Sequence, residues 1–410
     1  MDYGPPVAAA TGASMTKVFR LAFSLLGALL LSSCVTPKDF DTGGAIRAVQ
    51  ASPTELATPK TVYFATTRCH DVPGSGAPGS KAELLSVRCW EPAKGETEIL
   101  RLGFGMAESD DVSCGSTTVQ VMPRDADKAA LTTVATPVSQ ACGDAFADLR
   151  QALHDTPCHC ALIVVTGFNT TFAFGIKRAA QLALDLRYPG VPILFSFAAG
   201  GRFGDYVNDT EAAELAAPAL HKMLMALSQP DPAGTPAIDI IAHSMGTRLT
   251  LRAITEGDAP TLRYVVLAAP DIDPAAFLQL ARAAAPRTRR MTVYTSKFDI
   301  AMSASAATHN GISRVGGGLS ASVAADLPQT EIIDATARAA DPYAHSYFAE
   351  SKVMVDDIRA ALSGTPAPER GHLICDGSKA QSVVACTMPC PDGAKCGPSF
   401  YARVVHWLLD

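Results

Sequence analysis

Charge is scarce in this chain of 410 residues: Asp, Glu, Lys and Arg together make up 18 % of it, and the formal net charge is −6. A surface so thin in basic residues excludes a polyanion-binding protein, so nucleic acid is not an expected partner. No C-x-x-C pair occurs among the cysteines, which argues against a zinc ribbon. No internal repeat is apparent, which excludes a solenoid or propeller. The apolar run near the N-terminus falls short of the roughly 20 residues that a membrane-spanning helix needs. What is present is apolar residue in quantity, 48 % of the chain, enough for one large α/β domain with appendages.

The N-terminal run has a specific character. Lys17 and Arg20 precede the apolar stretch Leu21–Leu30, and Leu31-Ser32-Ser33-Cys34 follows. Basic, apolar and small residues in that order read as an export signal cut before Cys34. The tetrad resembles the lipobox of bacterial lipoproteins, which implies lipidation of Cys34. A buried N-terminal helix is the alternative. Met15 stands directly before the basic region and is a candidate start. Residues 34–60, rich in Thr, Pro, Ala and Gly, read as a tether. Val35 in place of an aspartate after the cysteine points to the outer membrane, facing the periplasm. Eleven cysteines fit that address, because an even number remains for disulfides once Cys34 is set aside. Metal is the competing reading, through Cys158-His159-Cys160 or through Cys386, Cys390, Cys396 and His372. Disulfides are expected, and no metal or cofactor.

The folded body is expected over residues 61–362. Strands are predicted at Thr61–Ala65, Ile99–Phe104 and Thr117–Met122. From residue 160 short, continuously apolar segments alternate with amphipathic ones, as in a parallel sheet covered on both faces. The strand candidates are Ala161–Val165, Pro192–Phe197, Ile238–Ile241, Tyr264–Ala268, Met291–Tyr294 and Glu331–Ile333. Helices are expected at Phe174–Leu186, Thr210–Leu227, Met245–Glu256, Pro274–Ala285 and Val353–Leu362. Ser303–Ala325, rich in Ala, Gly and Ser, reads as a mobile loop. Residues 363–410 read as a small disulfide-rich extension packed on the main body.

The chemistry centres on Ala242-His243-Ser244-Met245-Gly246, which follows an apolar strand and precedes a helix. It resembles the G-x-S-x-G nucleophile elbow, where small residues two positions either side of serine allow a tight strand-to-helix turn. An ordinary serine helix cap is the alternative. A serine hydroxyl needs a general base and an orienting carboxylate, expected in the order Ser, Asp, His. Asp299, just past the strand Met291–Tyr294, is the first choice of acid, with Asp271 and Asp273 as alternatives. His345, in a loop after the strand Glu331–Ile333, is the first choice of base, with His309 as its rival. His243 adjoins the nucleophile but is expected to point elsewhere. The oxyanion donors are expected to be the backbone N–H groups of Met245 and Phe168, the latter in Thr166-Gly167-Phe168-Asn169.

These segments, with Phe195-Ser196-Phe197, Ala268–Asp273, Tyr294–Asp299 and His345-Ser346-Tyr347-Phe348, resemble an uncharacterised bacterial family of esterase-like α/β hydrolases over about residues 61–362. Thr66-Thr67-Arg68 resembles that family's opening Thr-x-Arg. Thr166 stands where the family usually has His, and Phe197 where it usually has Trp. The resemblance implies an α/β-hydrolase fold and an esterase-type activity. The expectation is a lipid-anchored envelope serine esterase acting on small esters or acylated envelope polymers through an acyl-enzyme. A non-catalytic lipoprotein using the scaffold for binding is the reading from another class, and a peptidase or acyltransferase the narrower one. The absence of a long insertion after Tyr264–Ala268 disfavours a lipase with a large mobile cap.

Overall fold

The computed structural model of the chain describes residues 58–68, 112–121, 138–140, 142–199, 205–319, 327, 329–339, 343–375, 383–390, 397, 403, 404 and 406. Met15, Cys34, the tether up to residue 57 and the strand expected at Ile99–Phe104 lie outside them. Among the described residues the strands are β1 (Thr58–Thr66), β2 (Ser113–Val121), β3 (Val138–Gln140), β4 (Cys160–Val165), β5 (Val191–Ser196) and β6 (Ala237–His243). They continue as β7 (Leu262–Ala268), β8 (Thr288–Thr295), β9 (Thr330–Asp334), β10 (Ile374–Cys375) and β11 (Val383–Thr387). All join one sheet in the order β10-β11-β9-β8-β7-β6-β4-β5-β1-β2-β3. Every pairing from β11 across to β1 is parallel. Only β10, β2 and β3 add antiparallel, at the two margins.

Helices α1 (Cys142–His154), α2 (Phe172–Asp185), α3 (Tyr206–Leu227), α4 (Met245–Thr255), α5 (Pro274–Ala284), α6 (Ile300–Thr308), α7 (Tyr347–Glu350) and α8 (Lys352–Leu362) cover the sheet. Side chains alternate across a strand, and here both faces are buried. Ile163, Ile240, Val265 and Val293 share one core with Leu149 of α1, Leu220 of α3, Leu249 of α4 and Phe277 of α5. Leu162, Val164, Ile241, Val266 and Tyr294 share the other with Ile176 of α2 and Ile358 of α8. That double burial is why these strands read as continuous apolar runs.

Three segments differ from expectation. Residues 138–154, for which no element is expected, form β3 and α1; Ala145, Leu149 and Leu153 repeat every four residues and bury one face of α1. The stretch from Ser303, expected to be a mobile loop, opens inside helix α6, because the Asp299 side chain caps it by accepting from Met302 N–H at 3.1 Å and its alanines favour helix. The Cys-rich extension does not sit on the body as a separate piece: β11 pairs with β9 and β10 with β11. Left as an edge, β9 would present unpaired peptide groups.

Disulfides join Cys114 to Cys142, Cys158 to Cys160 and Cys375 to Cys386, and Cys390 is also disulfide-bonded. Cys69, Cys89 and Cys396 lie outside the described residues. The two histidines of the metal reading are bound elsewhere: His159 Nε2 lies 2.8 Å from Asp231 and His372 Nε2 lies 2.7 Å from Asp357.

Buried charge anchors the chain after α8. Arg370 pairs with Glu331 of β9 and, at 3.3 Å, with Asp357 of α8. Glu331 also accepts from Ala367 N–H at 2.7 Å and from Thr292 Oγ1 at 2.9 Å. Asp357 accepts from the Tyr294 hydroxyl. Removing the arginine would leave Glu331 to Arg290, at 3.4 Å, and Asp357 to His372, at 2.7 Å, each buried carboxylate losing its fully buried guanidinium partner. Arg370→Met is therefore expected to destabilise the fold by about 3–5 kcal/mol, read as a lower midpoint in urea denaturation.

Candidate active site

From β4 the chain passes to β5 on one side, and α3 then returns it to β6 on the other. Such a reversal opens a crevice at the carboxyl ends of the two strands. Thr166-Gly167-Phe168 leaves β4 on one lip of that crevice and Ser244 leaves β6 on the other.

Ser244 has φ 52° and ψ −124°, a conformation that costs a non-glycine residue about 1–3 kcal/mol and persists only when its surroundings fix it. They do. Its N–H donates to Ala268 O at 2.9 Å, and its carbonyl accepts from Thr247 N–H at 3.0 Å and Thr247 Oγ1 at 2.7 Å. Ser244 occupies the cap position of α4, yet its side chain makes no capping hydrogen bond. The hydroxyl is therefore not used as an ordinary helix cap would use it.

The small neighbours have measurable reasons. A Cβ on Gly246 would lie 2.3 Å from Thr166 O. One on Gly167 would lie 2.8 Å from Ser244 Cβ and 2.9 Å from His243 O. The loop after β4 and the turn after β6 thus touch backbone to backbone. This contact sets Phe168 beside the turn, while Met245 begins α4, where first-turn N–H groups have no acceptor within the helix. Arg68, the last residue of the Thr-x-Arg, is buried behind this loop. Its guanidinium donates to Thr170 O at 2.6 Å, Ala199 O at 3.0 Å and Ser196 Oγ at 3.0 Å.

The structure brings Asp299 and His345 together. His345 Nδ1 donates to Asp299 Oδ2 at 2.7 Å, both residues being buried. A carboxylate can only accept, so Nδ1 carries a proton, and in the neutral imidazole the lone pair is then on Nε2. The other carboxylate oxygen is held by Met302 N–H at the start of α6, so one hydrogen bond orients the acid and the other the imidazole. The rival residues are occupied differently. Asp271 forms a buried ion pair with Arg314 at 2.9 Å and accepts from Ser305 Oγ at 2.6 Å and Tyr206 Oη at 2.7 Å. Asp273 caps α5 through Ala275 and Ala276 N–H. His309 Nδ1 lies 2.8 Å from Ser305 O, one turn back on α6.

Three side chains around these residues make contacts that are not legible from sequence spacing. His243 donates from Nε2 to the carbonyl of His345 at 3.2 Å, with the two rings 4.5 Å apart. Burial first, then the neighbouring His345 and Arg178, hold the His243 imidazole well below its ordinary pKa, so it stays neutral. Tyr206 packs its ring edge-on against Phe168 at 5.3 Å, and burial followed by the Asp271 charge pushes its hydroxyl pKa up, so it remains a donor. Arg314 compensates Asp271 from a segment expected to be loop.

The family described as alpha/beta hydrolase of unknown function (DUF900) matches residues 143–363, more than half of the chain. The chain belongs to that family, and its mostly parallel, helix-flanked sheet is the α/β-hydrolase fold. No curated protein and no solved structure matches the chain.

Because Gly246 abuts backbone that cannot swing aside, Gly246→Ala is expected to destabilise by about 1–3 kcal/mol through overpacking. Gly143, exposed on α1 with nothing within 4 Å of an added Cβ, is the control: Gly143→Ala should leave the urea midpoint unchanged or raise it.

Proposed function

Starting from that family membership, we propose that the protein is a serine hydrolase of carboxylic esters, with Ser244 as nucleophile, His345 as general base and Asp299 as the acid that orients it. The observation that carries this reading is the buried His345–Asp299 pair at 2.7 Å on the sheet edge from which Ser244 projects in its strained turn. In the reaction, Ser244 Oγ attacks the ester carbonyl carbon and its proton passes to His345 Nε2. The carbonyl oxygen becomes an oxyanion held by the N–H groups of Phe168 and Met245. Collapse breaks the bond to the alkoxide, which takes the proton from His345 and leaves an acyl-enzyme. Water, deprotonated by His345, then releases the acid and restores the serine. No metal or cofactor enters these steps.

The substrate side is proposed more coarsely: small-molecule esters or acylated polymers of the cell envelope. The disulfides at Cys114–Cys142 and Cys375–Cys386 support an oxidising compartment. With the export-type N-terminus ending in Cys34, they favour a lipid-anchored protein of the outer membrane, facing the periplasm.

A fluorophosphonate probe tests the enzyme reading. Labelling of the wild type is expected to be stoichiometric and to vanish in Ser244→Ala, while Asp299→Asn should slow ester turnover by about 10²–10⁴-fold. Correctly folded wild type that takes up no probe at Ser244 would instead support a scaffold that binds without turnover.

A further inference from the structure

His243 is bonded to the residue proposed as base, and nothing in the reaction above uses it. Its Nε2–H donates to the His345 carbonyl at 3.2 Å. Its ring stacks on Phe348 at 4.6 Å with an interplanar angle of 26°. Two planes therefore fix the imidazole, the Phe348 face and the hydrogen bond in its own ring plane. A carbonyl only accepts, so the tautomer is also fixed, with the proton on Nε2. His345 follows Ala344, whose φ is 53°, so the base is presented by a strained backbone that needs outside support. Asp299 supplies that support at the side chain, and His243 supplies it at the main chain.

We propose that His243 is a positioning residue: it ties the main chain of the base-bearing loop to the residue next to the nucleophile, so that Ser244 and His345 are held in one register. The inference rests on the serine hydrolase reading. A direct covalent tether through the chain makes this placement economical, because any shift of the Ser244 turn carries the His243 donor, and hence the His345 loop, with it. Neutrality matters to the role. A second positive charge 4.5 Å from the His345 ring would oppose the imidazolium that forms when the serine proton is taken. His243 also lines a cavity of about 20 Å³ with Thr166, Thr170, Arg178 and Phe348, room for a single water.

Three substitutions separate positioning from packing. His243→Gln keeps an N–H donor at the ε position, His243→Asn sets the donor one bond short, and His243→Phe keeps the stack on Phe348 without a donor. Steady-state hydrolysis of a p-nitrophenyl ester and the rate of fluorophosphonate labelling are measured for each, with folding checked by thermal melting. The expected result is kcat and labelling rate lowered about tenfold in the Asn and Phe variants, KM unchanged, and the Gln variant within about threefold of wild type. A folded Phe variant with wild-type kcat would overturn the proposal. So would a Gln variant as slow as the Asn variant, a comparison that decides the matter even where the Phe variant does not fold. If the wild type itself does not label at Ser244, the hydrolase reading falls and this inference with it; wild-type labelling at equal rates in all variants removes the His243 role alone.

Discussion

The site depends on one steric constraint, the contact of two backbones across the crevice between β4 and β6. Thr166 O sits where a side chain on Gly246 would begin, and Ser244 Cβ where one on Gly167 would begin. Each glycine exists to let the other loop approach. The same approach brings Phe168, which follows Gly167, and Met245, which opens α4, to one crevice. It also explains how Ser244 tolerates φ 52°: the turn is hemmed in by the β4 loop on one side and bonded to Ala268 on the other. Arg68 closes the assembly from behind by binding the carbonyl of Thr170.

Two buried aspartates stand on this edge of the sheet, and their partners give them different chemistry. Asp271 faces a guanidinium, which is charged at all working pH values and locks the carboxylate into an ion pair. Asp299 faces an imidazole, the side chain whose proton can move near neutral pH. Burial alone would not tell them apart. The Cys-rich tail adds to the Asp299 side, with the His406 ring 5.1 Å from Phe298 and His406 Nδ1 3.2 Å from Ser303 Oγ, both residues close to Asp299 in sequence. The extension thus extends the sheet through β11 and β10 and also reaches the segment that carries Asp299.

Much of this was legible in the sequence, for physical reasons. Strands buried on both faces are apolar throughout, so β4 to β9 stand out from their flanks, and the steric demands of the elbow left Ala242 and Gly246 as readable marks around Ser244. That Asp299 and His345 stand at the same edge of the sheet was legible through their places after the successive strands β8 and β9. What was not legible depended on contacts distant in sequence. The parallel pairing of β11 with β9 has no local signature, since Val383–Thr387 is a short, ordinary run. The Ala- and Ser-rich stretch that forms the body of α6 runs on into a Gly-rich segment that resembles loop by composition, and the Asp299 cap and the alanines that make its start helical are local marks easily lost in it. Arg68 ends a Thr-x-Arg, but its partners lie more than a hundred residues away. His243 was expected to point elsewhere than Ser244, and its bond to His345 crosses a separation of 102 residues.

The central claim is that Ser244 forms a covalent acyl-enzyme. Rapid-quench mass spectrometry of the full chain with p-nitrophenyl acetate tests it most directly. The expected result is a burst of nitrophenolate equal to the enzyme present, with one acetyl group on the peptide that carries Ser244. Nitrophenolate release with no burst and no acetyl adduct on that peptide, in enzyme that turns the ester over, would contradict it.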